Sequence, residues 1–136
     1  MYDTILVATD GSDAANRAVA HATDLASSFD ADLHAIYVVD TTRYGQAVLS
    51  EAGGVLEELE ERGDKILEDV AGLSDVDTTS VIRSGRPNEE ITAYAEDIEA
   101  DLIVLGNRGL GAGPATKLGS IAERIVRNAG RPVITA

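Results

Sequence analysis

Three short runs of the chain are wholly apolar, and they constrain the fold more than any other feature. They read ILV, IYVV and LIVL and occupy residues 5–7, 36–39 and 102–105. A strand with one solvated face alternates apolar and polar residues, whereas a strand that is buried on both faces does not. Segments with helical periodicity separate these runs. The sequence therefore predicts an α/β fold in which helices cover both faces of a parallel sheet.

Five strands and four helices are expected in alternation within a single domain over residues 1–136. The strands are predicted at residues 4–8, 33–39, 78–83, 101–106 and 132–136. The helices are predicted from Ser12 to residue 29, from about Glu51 to Leu73, from Pro87 onward and from Ser120 to about Ala129. Residues 40–50 have no clear period and are expected to form a loop.

Single residues mark several of these boundaries. Ser12 and Asn88 are candidate N-caps, because short polar side chains can accept from the first free amides of a helix. Gly130 is expected to close the last helix, and Pro132 prevents its continuation. Gly63 lies on the apolar stripe of the second helix, where it indicates a weak point or a bend.

Two loops with unusual chemistry follow strands of this predicted sheet. TDGSD, at residues 9–13, follows the first strand, and GNRGLG, at residues 106–111, follows the fourth. In open parallel sheets ligands bind beyond the carboxyl ends of the strands, where the strand order reverses. If the first and fourth strands are neighbours, these two loops frame one crevice.

The segment from Gly106 to Ser120 contains five glycines and precedes a predicted helix. Bare amides at a helix N-terminus bind anions. Lys117 follows a threonine, so the segment is not a P-loop, and it does not match the dinucleotide fingerprint GxGxxG. Its spacing is instead G-x2-G-x9-G-[ST], formed by Gly106, Gly109, Gly119 and Ser120. The segment is therefore a candidate phosphate cradle.

Six segments in order resemble the universal stress protein family, and specifically its ATP-binding branch. They are ILVATDGSD with the helix after it, YVVD, SGRPNEEI, DLIVLGNRG, GSIAERIV and RPVI. The resemblance covers essentially the whole chain. It implies a Rossmann-like sandwich of the adenine nucleotide alpha-hydrolase type. It also implies an ATP-binding module for stress response or regulation, with little or no turnover.

The resemblance implies which residues contact the adenosine. Thr9 and Asp10 end the first strand near the adenosine, with Asp10 placed for the ribose. Val38 is expected at the edge of the adenine. Leu105 and Gly106 are expected against the base and the ribose.

The phosphate contacts follow from the same resemblance. Arg108 and Gly109 are expected to approach the phosphates. Gly119, Ser120 and Ile121 are expected to open the last helix there, with backbone amides and the Ser120 hydroxyl as donors. A Mg²⁺ or Mn²⁺ ion is expected on the phosphates. Asn107 departs from the family, which often has serine at this position.

Structural explanations remain open for some of these residues. TDGSD could serve only as a turn and an N-cap. Ser120 and Glu123 form S-x-x-E, a capping box, and Arg108 could be a solvated loop charge. For Ser120, capping and phosphate binding can share one site.

A second function also remains open, namely a slow ATPase or a nucleotide-dependent transferase of related architecture. No arranged pair of nucleophile and base is recognisable in the sequence, so no catalytic residue is assigned. His21 and His34 lie far apart, without a defensible serine or aspartate partner. Turnover that falls sharply in Asp10→Ala would distinguish the enzyme from the binding module.

The charge balance bears on partners and on environment. The chain carries 24 acidic and 11 basic residues, with a net charge of -13. Nucleic acid binding usually needs a basic patch, so no nucleic acid partner is expected. Abundant carboxylates with only two lysines, Lys65 and Lys117, favour a halophilic source.

Other features bear on location and assembly. The absence of cysteine excludes disulfides and a thiolate zinc site. No apolar run is long enough to cross a membrane and the N-terminus lacks a basic flank, so we expect no membrane partner and a cytoplasmic location. The family commonly dimerises through its last strand. The resemblance therefore implies a homodimer with antiparallel pairing near Val133–Thr135.

Overall fold

A computed structural model describes residues 2–42, 54–107 and 119–136. Its strands are β1 (Thr4–Ala8), β2 (Asp32–Asp40), β3 (Thr78–Gly85), β4 (Leu102–Leu105) and β5 (Val133–Thr135). Its helices are α1 (Asp13–Phe29), α2 (Val55–Leu73), α3 (Pro87–Asp97) and α4 (Ser120–Asn128). Residues 43–50 of the predicted loop lie outside the described residues.

The five strands form one sheet with the order β3-β2-β1-β4-β5. Every neighbouring pair is parallel. At the centre, Val7 of β1 is in register with Ala35 of β2 on one side and Val104 of β4 on the other. The strand order reverses at β1. The predicted five-stranded parallel sheet is therefore confirmed.

Helices cover both faces of the sheet, which explains the uninterrupted apolar runs. Ile5 and Val7 pack with residues of α1 and α2, such as Val19 and Leu67, in one buried cluster. Leu6 faces the other way and packs with residues of α3 and α4, such as Ile125. Each residue of the ILV run is fully buried because both faces of β1 are covered.

The helix boundaries confirm some of the sequence predictions and correct others. Ser12 is the N-cap of α1, and its hydroxyl oxygen accepts a hydrogen bond from the Ala15 amide at 3.2 Å. Asn88 is not a cap, since α3 is preceded by Arg86 and begins with Pro87, whose missing N–H and fixed φ suit the first helical position. The second helix begins at Val55 rather than near Glu51, because Gly54 precedes it with a φ of 79°.

Gly63 does not interrupt α2, although its sequence suggested a weak point there. The helix continues through it, and Gly63 is buried. A Cβ at this position would lie 2.4 Å from Cδ1 of Tyr37 on β2. The glycine therefore allows the helix to pack closely on the sheet.

The amino ends of β1 and β4 are joined by one carboxylate. Oδ2 of Asp101 accepts hydrogen bonds from the backbone amides of Asp3 at 2.8 Å and Thr4 at 2.9 Å. These two bonds hold the pKa of Asp101 below its usual value, because they stabilise the charged form. The carboxylate thus secures the start of β1 at the edge of the sheet opposite the carboxyl ends.

Candidate functional site

The two unusual loops follow adjacent strands of the sheet. β1 pairs with β4, so the turn after Ala8 and the glycine segment after Leu105 leave the same edge of the sheet side by side. The strand order reverses at this point, which is where open parallel sheets bind their ligands. The first and fourth strands are therefore neighbours, as the prediction that these two loops frame one crevice requires.

Thr9 and Asp10 lie in the turn that leaves β1. The Thr9 amide donates to the Ile36 carbonyl at 3.0 Å, and its buried hydroxyl oxygen accepts from the Gly11 amide at 3.2 Å. Oδ1 of the partly buried Asp10 accepts from the Ser12 amide at 2.9 Å. Gly11 has a φ of 80°, which few residues other than glycine adopt. TDGSD thus does form a turn and an N-cap, and Asp10 lies in that turn at the carboxyl end of β1.

Val38 lies near the carboxyl end of β2, the strand on the other side of β1. It follows Ile36, whose carbonyl is bonded to Thr9, by two residues. Val38 is partly buried and packs against the apolar cluster beneath α3 and α4. An apolar side chain therefore lies at the carboxyl end of the strand next to Thr9.

Leu105 and Gly106 form the end of β4. Leu105 is buried, whereas Gly106 is partly exposed. A Cβ on Gly106 would lie 2.8 Å from the Ala14 carbonyl carbon and 2.9 Å from the Ala15 nitrogen. The sequence suggested only one reason for this glycine, the close approach of a ligand. The structure adds a second one, because the end of β4 packs directly on the first turn of α1.

The start of α4 completes this end of the sheet. Gly119 is its N-cap, and Ser120 and Ile121 are the first helical residues, both exposed. The Gly119 amide donates to the Asn107 carbonyl at 2.6 Å, which ties the start of the helix to the end of β4. The N-cap is a glycine, so it has no side chain that could cap the helix. The amides of its first turn therefore have no side-chain acceptor from a cap.

The capping-box interpretation of Ser120 and Glu123 is wrong. Ser120 is inside the helix rather than before it, so its hydroxyl is not at the capping position. The Glu123 carboxylate instead pairs with Arg127 one turn later, at 2.8 Å. Helix capping thus does not account for the serine that ends the glycine motif.

Asn107 is a residue whose importance the sequence analysis missed. Its amide donates to the Ala136 carbonyl at 2.9 Å, so the backbone is held between β5 and α4. Its side-chain Oδ1 is buried and has no hydrogen-bond partner among the described residues. Buried polar atoms are nearly always paired, so this oxygen is a candidate acceptor for a ligand donor. The only available signal was an amide at a position where the family often has serine.

Some of the predicted site residues are not described. Arg108 and Gly109 lie outside the described residues, as does Lys117. Thr9, Asp10, Val38, Leu105, Gly106, Gly119, Ser120 and Ile121 are described, and all lie at or near the carboxyl ends of β1, β2 and β4 or at the start of α4. Among the described residues, no group of three or more acidic or histidine side chains is arranged to hold a metal ion.

His34 belongs to a different part of the molecule. It lies near the start of β2, and its Nδ1 is 2.9 Å from the hydroxyl oxygen of Tyr94 on α3. Burial lowers the pKa of His34, and the charge of Asp32 opposes this shift to a smaller extent. Burial also raises the pKa of Tyr94, while the Arg83 guanidinium, 4.9 Å from the centre of its ring, lowers it.

Charge is distributed unevenly between the two edges of the sheet. Of the 24 acidic residues only Glu123 comes after Asp101, whereas five of the 11 basic residues do. The described residues after Asp101 form β4, α4 and β5 at one edge of the sheet and carry three arginines, Arg124, Arg127 and Arg131, while α2, with its many glutamates, packs on β2 and β3. The candidate site at the ends of β1 and β4 thus lies beside a part of this acidic protein in which described basic residues outnumber acidic ones.

Comparison with known proteins identifies the relatives of the chain. The model of the universal stress protein family matches residues 1–136. A universal stress protein of Methanocaldococcus jannaschii is 36% identical over 138 residues, which cover 98% of this chain and 81% of that protein. No helix among the described residues combines the length and the apolar character that a membrane crossing requires.

Solved structures show the same fold. The universal stress protein UspA from Lactobacillus plantarum superposes with a TM-score of 0.83 at 32% identity, over 98% of this chain and 97% of that one. A universal stress protein solved in complex with cAMP gives a TM-score of 0.74 at 26% identity, over 99% of this chain and 97% of that one.

Proposed function

The chain belongs to the universal stress protein family, and from that premise we propose that it is an ATP-binding module with little or no turnover. One observation carries the proposal: the turn bearing Asp10, the end of β4 and the uncapped start of α4 meet at one switch point. A structural neighbour was solved with an adenine nucleotide, cAMP, which supports the same class of ligand.

Different residues are proposed to contact the base, the ribose and the phosphates of the nucleotide. Val38 and Leu105 offer apolar surface to the adenine, with the backbone of Thr9 and Gly106 beside it. Asp10 accepts from the ribose hydroxyls, since a carboxylate is a good acceptor for a diol. Its Oδ1 already bonds to Ser12, so the same turn that fixes the backbone would also orient the carboxylate.

The phosphates would lie at the start of α4. The first-turn amides of a helix have no intrahelical partner and the helix dipole favours an anion there. Gly119, Ser120 and Ile121 would supply amides and a hydroxyl, and Arg108 and Gly109 would approach from the glycine segment. A Mg²⁺ or Mn²⁺ ion would be held chiefly through the phosphate oxygens, neutralising their charge.

The nucleotide content of the purified protein tests this proposal. Protein purified gently in high and in low salt is denatured, and the released nucleotide is identified by chromatography. Near-stoichiometric ATP is the expected result. Predominant ADP or AMP would favour the alternative of a slow ATPase or transferase, and a turnover assay of Asp10→Ala would then follow. No bound nucleotide, together with no binding of added Mg-ATP in either salt, would refute the proposal.

Gly119→Asp is the most informative variant. Aspartate is a favourable N-cap, so the variant should fold, but its carboxylate would accept from the first-turn amides and repel a phosphate. We expect ATP binding to weaken by about tenfold or more, the equivalent of about one charged hydrogen bond. Gly72→Asp is the matched control, because Gly72 is exposed on α2 with no atom within 4 Å of its added Cβ.

We further propose a homodimer that pairs through β5, the strand at the edge of the sheet beside β4. The Ala136 amide donates to Leu105 and the Pro132 carbonyl accepts from Ile103, so alternate residues of this segment pair with β4. Val133 and Thr135 then direct their backbone groups outward. Thr135→Pro should give a monomer by light scattering, whereas Thr135→Val should not. A wild-type monomer in the appropriate salt would contradict the dimer.

We also propose a cytoplasmic location and a halophilic source. The net charge of -13 supports the second point, because abundant surface carboxylates keep a protein soluble in concentrated salt. Unfolding followed by circular dichroism at increasing KCl concentration tests it. A halophilic protein should gain stability up to molar salt, and loss of stability or precipitation there would argue against it.

A further inference from the structure

A groove of about 940 Å³ lies between α1 and α2. Buried Val19 of α1 and Val70 of α2 form part of its floor, together with the partly buried Ile66. Leu73 lies at one end and is 82% exposed, the most exposed of the large apolar side chains among the described residues. The groove therefore offers apolar surface that no described part of the chain covers.

Of the described residues that line this groove, the charged ones are all acidic. Asp24 projects from α1, and Glu68 and Asp69 project from α2. All three are exposed, and no lysine or arginine of the described residues lines the groove. An apolar floor between two acidic rims is complementary to a helix with an apolar stripe flanked by basic residues.

We propose that this groove is the docking site for a basic amphipathic helix of a partner protein. The apolar stripe of that helix would lie on Val19, Ile66 and Val70, and Leu73 would act as an anchor at one end. Lysine and arginine side chains would pair with the carboxylates on both rims. A second copy of this chain paired groove to groove would bring the acidic rims together, and this like-charge repulsion disfavours it as the occupant.

The far end of the groove reaches the turn of the candidate nucleotide site. Gly11 lines the groove, and a Cβ on it would lie 2.9 Å from Cδ1 of Ile66. An occupant of the groove would therefore touch the segment that carries Asp10. This link between the groove and the nucleotide site rests on the proposed ATP-binding function, whereas the docking itself does not. If the two sites are linked, ATP and the partner must change each other's affinity for the protein by the same factor.

A peptide-binding assay tests the docking site without any nucleotide. The probe is a fluorescently labelled 18-residue peptide of lysine and leucine, with the leucines at helical spacing, and the control peptide has the same composition in scrambled order. Fluorescence anisotropy gives both affinities. We expect the amphipathic peptide to bind about tenfold more tightly or better, because only it can place apolar anchors in the groove. Equal affinities would show attraction by net charge alone and would overturn the proposal.

Two pairs of variants locate the binding surface. Leu73→Glu should weaken peptide binding about tenfold, whereas Val126→Glu, at a half-exposed position on α4, should leave it unchanged. Asp69→Lys should weaken binding more than Glu60→Lys, which changes an exposed residue of α2 outside the groove. If either pair shows no difference, the peptide binds elsewhere and the proposal is wrong.

Two further measurements separate the alternatives. If sedimentation shows that the wild type self-associates and that Leu73→Glu does not, then a second copy of the chain is the occupant of the groove. This result would overturn the assignment to a partner protein. Saturating Mg-ATP should change the peptide affinity of the wild type. A protein that binds ATP but shows no such change would overturn the link between the sites. A protein that binds no ATP would overturn the proposed function and leave the peptide result valid.

Discussion

Replacing Gly63 with alanine should destabilise the protein, even though alanine is the better helix former. In the interior of a helix this change alone would stabilise the fold by up to about 1 kcal/mol. At this position, however, the new Cβ would lie 2.4 Å from Cδ1 and 2.8 Å from Cε1 of Tyr37. The Tyr37 ring is buried, so it cannot move into solvent to relieve the contact.

The magnitude follows from the balance of these two effects. Inserting a methyl group into a well-packed core costs about 1–3 kcal/mol, and a contact this short belongs in the upper half of that range. After the gain in helix propensity is subtracted, we expect a net loss of about 1–2 kcal/mol in the free energy of unfolding. For a chain of this length, each kcal/mol corresponds to a shift in Tm of about 3–4 °C.

Gly72→Ala provides the matched control within the same helix. Gly72 is exposed near the end of α2, and nothing lies within 4 Å of its added Cβ. This variant should be unchanged or more stable by up to about 1 kcal/mol. Urea unfolding followed by circular dichroism should therefore shift the two midpoints differently, with that of Gly63→Ala clearly lower.

A double-mutant cycle would show whether Tyr37 is the cause. In a Tyr37→Val background the ring is gone, so Gly63→Ala should no longer destabilise the fold. If Gly63→Ala is as stable as Gly72→Ala in the wild-type background, the close packing of α2 on β2 is not what requires glycine. If Gly63→Ala still destabilises the protein in the Tyr37→Val background, the clash with the Tyr37 ring is not the cause of the lost stability.

Three other predictions concern stability. The depressed pKa of Asp101 means that its contribution to stability is present above about pH 4 and is lost as the pH falls through the folded-state pKa. Below about pH 4 the urea midpoint of Asp101→Asn should therefore depend less on pH than that of the wild type. The lowered pKa of His34 means that stability should fall as the pH drops below about 6.5 and level off below the folded-state pKa. His34→Gln should remove that slope, whereas His21→Gln, at an exposed site, should not. Asn107→Ala should raise the stability of the nucleotide-free protein by about 1 kcal/mol, because it removes a buried oxygen that no described residue donates to, and a lower Tm would contradict this.

The strands could be predicted from sequence because burial on both faces removes the need for alternation. Each predicted strand agrees with the structure to within two residues at either end, and β1 agrees at both ends. The helix starts were less certain. Asn88 and Ser120 are chemically suited to capping, but both lie inside their helices, after Arg86 and Gly119. Local chemistry permits several starting points, and tertiary contacts select one of them.

Contacts between distant segments could not be predicted. From the sequence, the adjacency of β1 and β4 could only be assumed, because hydrophobic periodicity does not specify the order of strands in a sheet. The packing of Gly106 on the first turn of α1 and of Gly63 on Tyr37 depends on that order. The sequence therefore indicated which loops carry the site, while the sheet topology determines that they meet.

The uneven distribution of charge makes the molecule an electric dipole as well as an acidic protein. Arg127 is paired with Glu123, but Arg124 and Arg131 remain, and at physiological ionic strength, where the Debye length is about 8 Å, their field still acts beyond direct contact. An approaching anion would then turn toward the edge formed by β4, α4 and β5, despite the net negative charge. In molar salt the Debye length is about 3 Å, and this guidance disappears. Binding of the anion would then depend on direct contact alone, and the rate of its association with the protein would no longer depend on the direction from which it approaches.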